Sequence, residues 1–225
     1  MLFQRRTVAI EGTPSIYRVY VPRAKPPLPA ILFLHGRGES GSDGLAQTTV
    51  GIGPAIERHP KRFPAVVVFP QASETYGWRG WNLLAALAAL DDVERAYDID
   101  RDRVSVTGLS MGGFGAWAIA ALHPQRFAAI APVCGGFDST ATNMRMAEAV
   151  KRIAAIPQWA FHGDADNIIV VEHSRRMVAA LRAAGADVRY TEYAGVKHNS
   201  WDRAYAEAEL LPWMLGQRRT GAQER

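Results

Sequence analysis

The residues from Arg103 to Ala116 read RVSVTGLSMGGFGA, and they constrain this chain more than any other stretch. A β-branched run meets Gly108-Leu109-Ser110-Met111-Gly112 and passes directly into the apolar GAWAIAAL. That is the pattern of a buried strand, a sharp turn and a helix. Glycines on both sides of the serine let the backbone turn tightly without Cβ clashes. The hydroxyl can then stand exposed while the next amide lies in the positive field of a helix N-terminus. A nucleophilic serine needs those surroundings, and Ser110 is the candidate.

The rest of the chain repeats the alternation of strand and helix that a mostly parallel sheet covered by helices requires. Strands are expected at Ser15 to Val21, Ala30 to Leu34, Ala65 to Phe69, Val104 to Thr107, Ala128 to Val133, Gln158 to Phe161 and Val188 to Tyr193. The first residues, MLFQRRTVAIEGT, also alternate like a strand. ILFL, VVVF and VSVT are almost unbroken apolar or β-branched runs, as in strands buried on both faces, and should form the centre of the sheet. Leu83, Leu87, Leu90 and Tyr97 recur at helical spacing, and Met177, Leu181 and Ala184 do so before Gly185, a C-terminal stop. Ser200 is placed to cap the last helix, and Pro212 should break or kink it, leaving Trp213 to Leu215 as a separate turn packed on the sheet. No repeat or linker divides the 225 residues, so one domain spanning 1–225 is expected, with 217–225 as a frayed tail.

Composition narrows the class. With 48% hydrophobic and 21% charged residues the chain has the make-up of a packed globule. Its net charge of +4 comes from scattered Lys and Arg with only the pairs Arg5-Arg6, Arg175-Arg176 and Arg218-Arg219, which gives no nucleic-acid surface. The longest apolar stretch, Leu83 to Leu90, is far short of the roughly 18 residues of a membrane span. The N-terminus lacks the apolar core of a secretory signal, and the single Cys134 fits a reducing compartment, so a cytoplasmic protein is expected. A lone cysteine offers no metal-binding cluster either.

A serine hydroxyl is a poor nucleophile at neutral pH and needs a base and an orienting acid; in this topology they follow in the order Ser, acid, His. The strand Gln158 to Phe161 leads into His162-Gly163-Asp164-Ala165-Asp166, where two aspartates compete. An HGxxD pattern selects Asp166 and leaves Asp164 as a turn-forming or bracing carboxylate. After the strand Val188 to Tyr193 comes AGVKHNSW, which places His198 where the base belongs. Donors for a developing oxyanion are the N–H of Met111 and one from His35-Gly36-Arg37-Gly38, with Arg37 chosen and Gly38 its rival. His35 reads as a brace for that loop. Gln71, Trp78, Trp81 and Trp201 are candidate pocket residues, with scaffold packing as the other reading of the tryptophans.

The segments LFLHGRGESGSD, VVVFPQ, DIDRDRVSVTGLSMGGFGAW, PVCGG, FHGDADNIIV and GVKHNSWDRAY run in one order over most of the chain. In them it resembles the phospholipase/carboxylesterase group of small bacterial esterases, which is similar to acyl-protein thioesterases and to the esterase domains called predicted peptidases. The resemblance implies an α/β-hydrolase fold, a Ser110, Asp166, His198 triad, no cofactor and no metal, and a small-molecule carboxylic ester as substrate. Thioester, lysophospholipid and peptide hydrolysis are alternatives on the same fold, and a binding protein that has lost catalysis is a further one. Between Gly135 and Arg152 there is no room for a large lid, so an open groove and short or aryl esters are expected. A cysteine nucleophile would stand at the elbow, as in dienelactone hydrolases of related fold. Here the elbow carries Ser110, and Cys134 reads as a small buried residue.

Overall fold

The computed structural model describes residues 2–73 and 77–219. Eight strands form one sheet in the order β1-β2-β4-β3-β5-β6-β7-β8. They are β1 (Phe3–Ile10), β2 (Thr13–Tyr20), β3 (Leu28–Leu34), β4 (Val66–Pro70), β5 (Ile99–Leu109), β6 (Ala129–Val133), β7 (Gln158–Gly163) and β8 (Val188–Tyr193). β1 and β2 pair antiparallel, as do β2 and β4, and every other neighbouring pair is parallel. This is the mostly parallel sheet of an α/β-hydrolase fold.

The apolar runs lie at the centre because helices cover both faces. β3 and β4 are buried at every residue. Along them side chains alternate between two cores, as the period of a strand dictates. Leu32, Leu34, Val66 and Val68 enter one core with α2 (Trp81–Ala96), α3 (Met111–Leu122), α5 (Met146–Ile153) and α6 (Glu172–Ala183). Ile31, Phe33, Val67 and Phe69 enter the other with α1 (Ile52–Arg58), α7 (Trp201–Ala206) and α8 (Leu210–Gly216). β3 pairs with β4 on one side and β5 on the other, so the strand order reverses there. In open parallel sheets the crevice beyond the strand ends at such a reversal is the place for a ligand.

Between β6 and β7 stand only the short α4 (Ser139–Thr142) and α5, in keeping with the absence of a large lid. Gly185 follows α6 at φ 77° and donates to the Arg182 carbonyl, acting as the expected stop. Two details at the C-terminus correct the sequence expectation. The helix break falls at 207–209, and Pro212 lies inside the first turn of α8, where its missing N–H leaves no bond unmade. Residues 217–219 are not frayed: Arg219 binds Asp102 through its backbone N–H and guanidinium, and Arg218 reaches Asp100. The remainder of that tail lies outside the described residues. Ser200 does precede α7, but its hydroxyl makes no capping bond. Among the described residues no helix is long and apolar enough to cross a membrane.

Candidate active site

β5 ends in a sharp turn that glycines on both sides of Ser110 permit. Ser110 sits at φ 52° and ψ −119°, a conformation that costs a non-glycine residue energy and is held by its surroundings. Its N–H donates to the Val133 carbonyl, and its carbonyl accepts from Gly113 and Phe114 as α3 begins. A Cβ on Gly112 would stand 1.9 Å from the Leu34 carbonyl oxygen, and one on Gly108 would stand 2.3 Å from that of Gly112. Glycine at both positions lets the turn press against the end of β3.

The loops after β7 and β8 bring the other two predicted residues to this turn. His198 Nε2 lies 2.9 Å from Ser110 Oγ, and its Nδ1 lies 2.7 Å from Asp166 Oδ2. The carboxylate can only accept, so the Nδ1 proton goes to Asp166 and Nε2 presents its lone pair to the serine hydroxyl. Asp166 is fully buried at its side chain. Its second oxygen accepts from the N–H groups of Ile168 and Ile169 at 2.9 and 3.0 Å. Burial works to raise the pKa of Asp166, but the hydrogen bonds from His198 and the two amides outweigh it and the net shift is downward. Asp164, the competing carboxylate, faces away and accepts from Gly195 N–H at 2.7 Å, bracing the segment that carries His198.

The loop after β3 closes the site from the opposite side. His35 is completely buried, and burial pushes its pKa down to about 4, so it is neutral. Its Nδ1–H donates to the Gly36 carbonyl at 2.6 Å, and its Nε2 accepts from Ala72 N–H at 2.9 Å. A trans peptide points its carbonyl and its N–H in opposite directions. Fixing the Gly36 oxygen therefore turns the Arg37 N–H to the other side. Trp78 holds the same loop from below, donating from Nε1 to the His35 carbonyl.

A cleft of about 570 Å³ opens over Ser110 and His198. Gly36, Arg37, Gly38 and Met111 line it, as do Trp78 and Trp201, the latter edge-on to the His198 ring at 5.3 Å. Two of the predicted pocket residues are absent from its walls. Gln71 is spent on the loop below, where it accepts from Gly44 N–H and donates to the Glu39 carbonyl and Asp43 carboxylate. Trp81 begins α2 and is not among the residues that line the cleft. The segment Gln71 to Trp81, expected to form one wall, includes residues 74–76, which lie outside the described residues. Sequence reasoning missed Phe114, Ile168 and Ile169, apolar wall residues with no signal beyond their nearness to Ser110 and Asp166.

Cys134 also takes a place the sequence did not suggest. It is buried at φ 41°, and its sulfur lies with the ligand atoms of Asp166 and His198 inside 4.8 Å. Burial pushes its thiol up to about 12. It therefore stays protonated, and the Asp166 oxygens already accept from other groups, so the trio is arranged for hydrogen bonding and packing.

Comparison with known proteins agrees with this fold. A family model described as the Dienelactone hydrolase family matches residues 78–208, which is more than half of the chain. The chain belongs to the dienelactone hydrolase family. The chain superposes on a solved thermostable esterase with a TM-score of 0.85 and 33% identity, covering 97% of the present chain and 64% of that one. A putative esterase, NocK, of Nocardia uniformis is 28% identical over 72% of this chain and 48% of its own. A protein of Arthroderma benhamiae named only as an uncharacterized secreted protein is 27% identical over 76% of this chain and 21% of its own. The chain thus spans half or less of the length of these curated relatives. A Pyrococcus horikoshii acylaminoacyl peptidase shares the fold at 13% identity and a TM-score of 0.74.

Proposed function

We propose that this member of the family is a serine carboxylic-ester hydrolase that works through an acyl-enzyme on short-chain or aryl esters, as one domain over 1–225 in the cytoplasm. One observation carries the reading: the unbroken line from Ser110 Oγ through His198 to a buried, ionised Asp166. In the first half-reaction Ser110 Oγ attacks the ester carbonyl as His198 Nε2 takes its proton, and the alkoxide leaves with that proton. In the second, water loses a proton to the same nitrogen and attacks the acyl-serine; the acyl–Oγ bond breaks, Ser110 Oγ takes the proton back from His198, and the acid is released. Asp166 stays an anion throughout, holding the ring and stabilising the imidazolium that forms.

The developing oxyanion needs donors, each worth about a hundred- to a thousandfold in rate. Met111 N–H, the first amide of α3, and Arg37 N–H have no partner among the described residues, and the His35 brace supports Arg37 over Gly38. The short α4 and α5 leave the cleft open, and Trp78, Phe114 and Trp201 give it aromatic walls. Both features favour compact or aromatic acyl groups over long lipid chains. The reducing setting is supported by the single cysteine.

A fluorophosphonate should add its mass to the peptide holding Ser110. Rates on p-nitrophenyl esters from acetate to palmitate, with a thioester and a peptide amide alongside, should be highest for the short and aryl esters. An unlabelled Ser110 would point to a binding protein and end the proposal; fastest turnover on palmitate, the thioester or the amide would replace its substrate class.

A further inference from the structure

Asp166 has a second histidine behind it. His162 belongs to β7, four residues before the acid, and its side chain has no exposed surface. Its Nε2 lies 2.8 Å from the Ile169 carbonyl oxygen and 3.3 Å from Asp166 Oδ2, the same oxygen that receives His198. Both of those oxygens can only accept. Nε2 must therefore carry a proton, and that N–H is given mainly to Ile169 while its positive end faces the carboxylate. On the other side of the ring Nδ1 lies 2.7 Å from Ser174 Oγ on α6. Ser174 Oγ also lies 2.9 Å from the Gly135 carbonyl and has one proton for the two contacts; with Nε2 protonated and the ring neutral, that proton goes to Nδ1.

We propose that His162 is a positioning residue of this site, which fixes the Asp166 carboxylate from behind so that Oδ2 stays aligned with His198 and ionised. The inference rests on the triad reading above and adds a residue to it. Ile169 joins the two effects, since its carbonyl anchors His162 while its N–H holds the other carboxylate oxygen. A rotated carboxylate would lose both restraints together.

Among the described residues, the charged and titratable groups that face His162 are few. Asp166 and His198 lie on one side, and Glu192 is its register partner on β8. Glu192 is itself engaged by Arg175 of α6 at 2.6 Å and by the Tyr190 hydroxyl at 2.7 Å. Burial pushes the pKa of His162 down, opposed by the Ile169 carbonyl and by Asp166. The ring therefore acts as a neutral donor.

The test uses His162→Gln, whose amide can keep a donor near the Nε2 position, and His162→Leu, which cannot. In His162→Leu, kcat should fall by about tenfold or more, the size expected when a carboxylate loses one donor, with KM unchanged. Asp166 would then be less compensated and would hold the imidazolium of His198 more firmly. The acidic limb of the kcat/KM profile should accordingly move to higher pH. His162→Gln should restore both kcat and the limb. A merely structural role would lower the melting temperature and leave the limb in place, and that result in folded His162→Leu overturns the proposal, as does a loss confined to KM.

Long-range nitrogen–proton NMR of the unmutated protein gives a second check that does not depend on the variant folding. A protonated Nε2 on His162 supports the assignment, and a bare Nε2 ends it. Fluorophosphonate labelling of Ser110 separates the two levels. Absence of labelling removes the triad itself, whereas labelling with an unmoved limb removes only His162.

Discussion

The two sides of the cleft are held by different physics. On the Ser110 side the backbone does the work: a residue at φ 52°, glycines in contact with carbonyl oxygens, and a loop whose peptides are fixed by His35 and Trp78. On the His198 side, side-chain hydrogen bonds do it, running from Asp166 to His198, from Asp164 to Gly195, and from His162 to Ile169. Backbone packing tolerates no added atom, whereas a hydrogen-bonded loop can lose a side chain and keep its shape. The first region should therefore fail by unfolding and the second by losing rate.

His198→Ala is the largest expected effect and falls on rate alone. Activity should drop by roughly a millionfold, as for the loss of a base in other serine triads, while the urea midpoint moves less, because Asp166 keeps the N–H groups of Ile168 and Ile169 when the ring is gone. Steady-state kinetics beside a denaturation curve decides it. A large fall in stability would mean that the two sides are not so different.

Gly112→Ala comes next and tests the opposite half. The added Cβ would lie 1.9 Å from backbone oxygen, so either β3 or α3 must move, and a loss of about 4 kcal/mol or more is expected from a clash of that kind. Circular dichroism melts measure it directly. A well-folded Gly112→Ala protein with normal labelling at Ser110 would show that the elbow is softer than its contacts imply.

Acid gives the smallest effect, again on the Ser110 side. His35 has its pKa lowered from 6.5 to about 4 by burial, so below 6.5 the unfolded chain binds a proton that the fold refuses. Stability from this group is complete above pH 6.5, declines as pH falls and levels off near 4. The drop from 6.5 to about 4 is worth on the order of 3 kcal/mol. Urea midpoints between pH 7.5 and 4 should fall more steeply for the wild type than for His35→Gln, which has no such proton to exclude. Equal slopes would assign the acid sensitivity to the carboxylates instead.

Much of this arrangement could be read before any coordinates. β8 runs over the expected residues, and the other expected strands differ from the observed ones at their ends, with β5 starting five residues earlier because Ile99 pairs with Leu28. Such ends are set by neighbours, which periodicity cannot see. Ser110, Asp166 and His198 were legible because each follows a recognisable strand in a fixed order. Gln71 was misplaced because a strand-end glutamine looks the same whether it faces the cleft or staples the loop beneath it. His162 was visible only as the first residue of the HGxxD pattern and Cys134 only as a small buried residue, since what each one touches is set by the tertiary structure.

The sequence alone determined the layering of strand and helix, the sharp turn at Ser110 and the order of the three candidate residues, because apolar period and glycine placement act over a few neighbours in the chain. Only the tertiary structure decided which polar side chains look into the cleft and which are consumed in holding it. That choice depends on distances between groups such as Ser110 and His198, 88 residues apart in the chain. No local pattern encodes those distances; the packing of the sheet and its helices does.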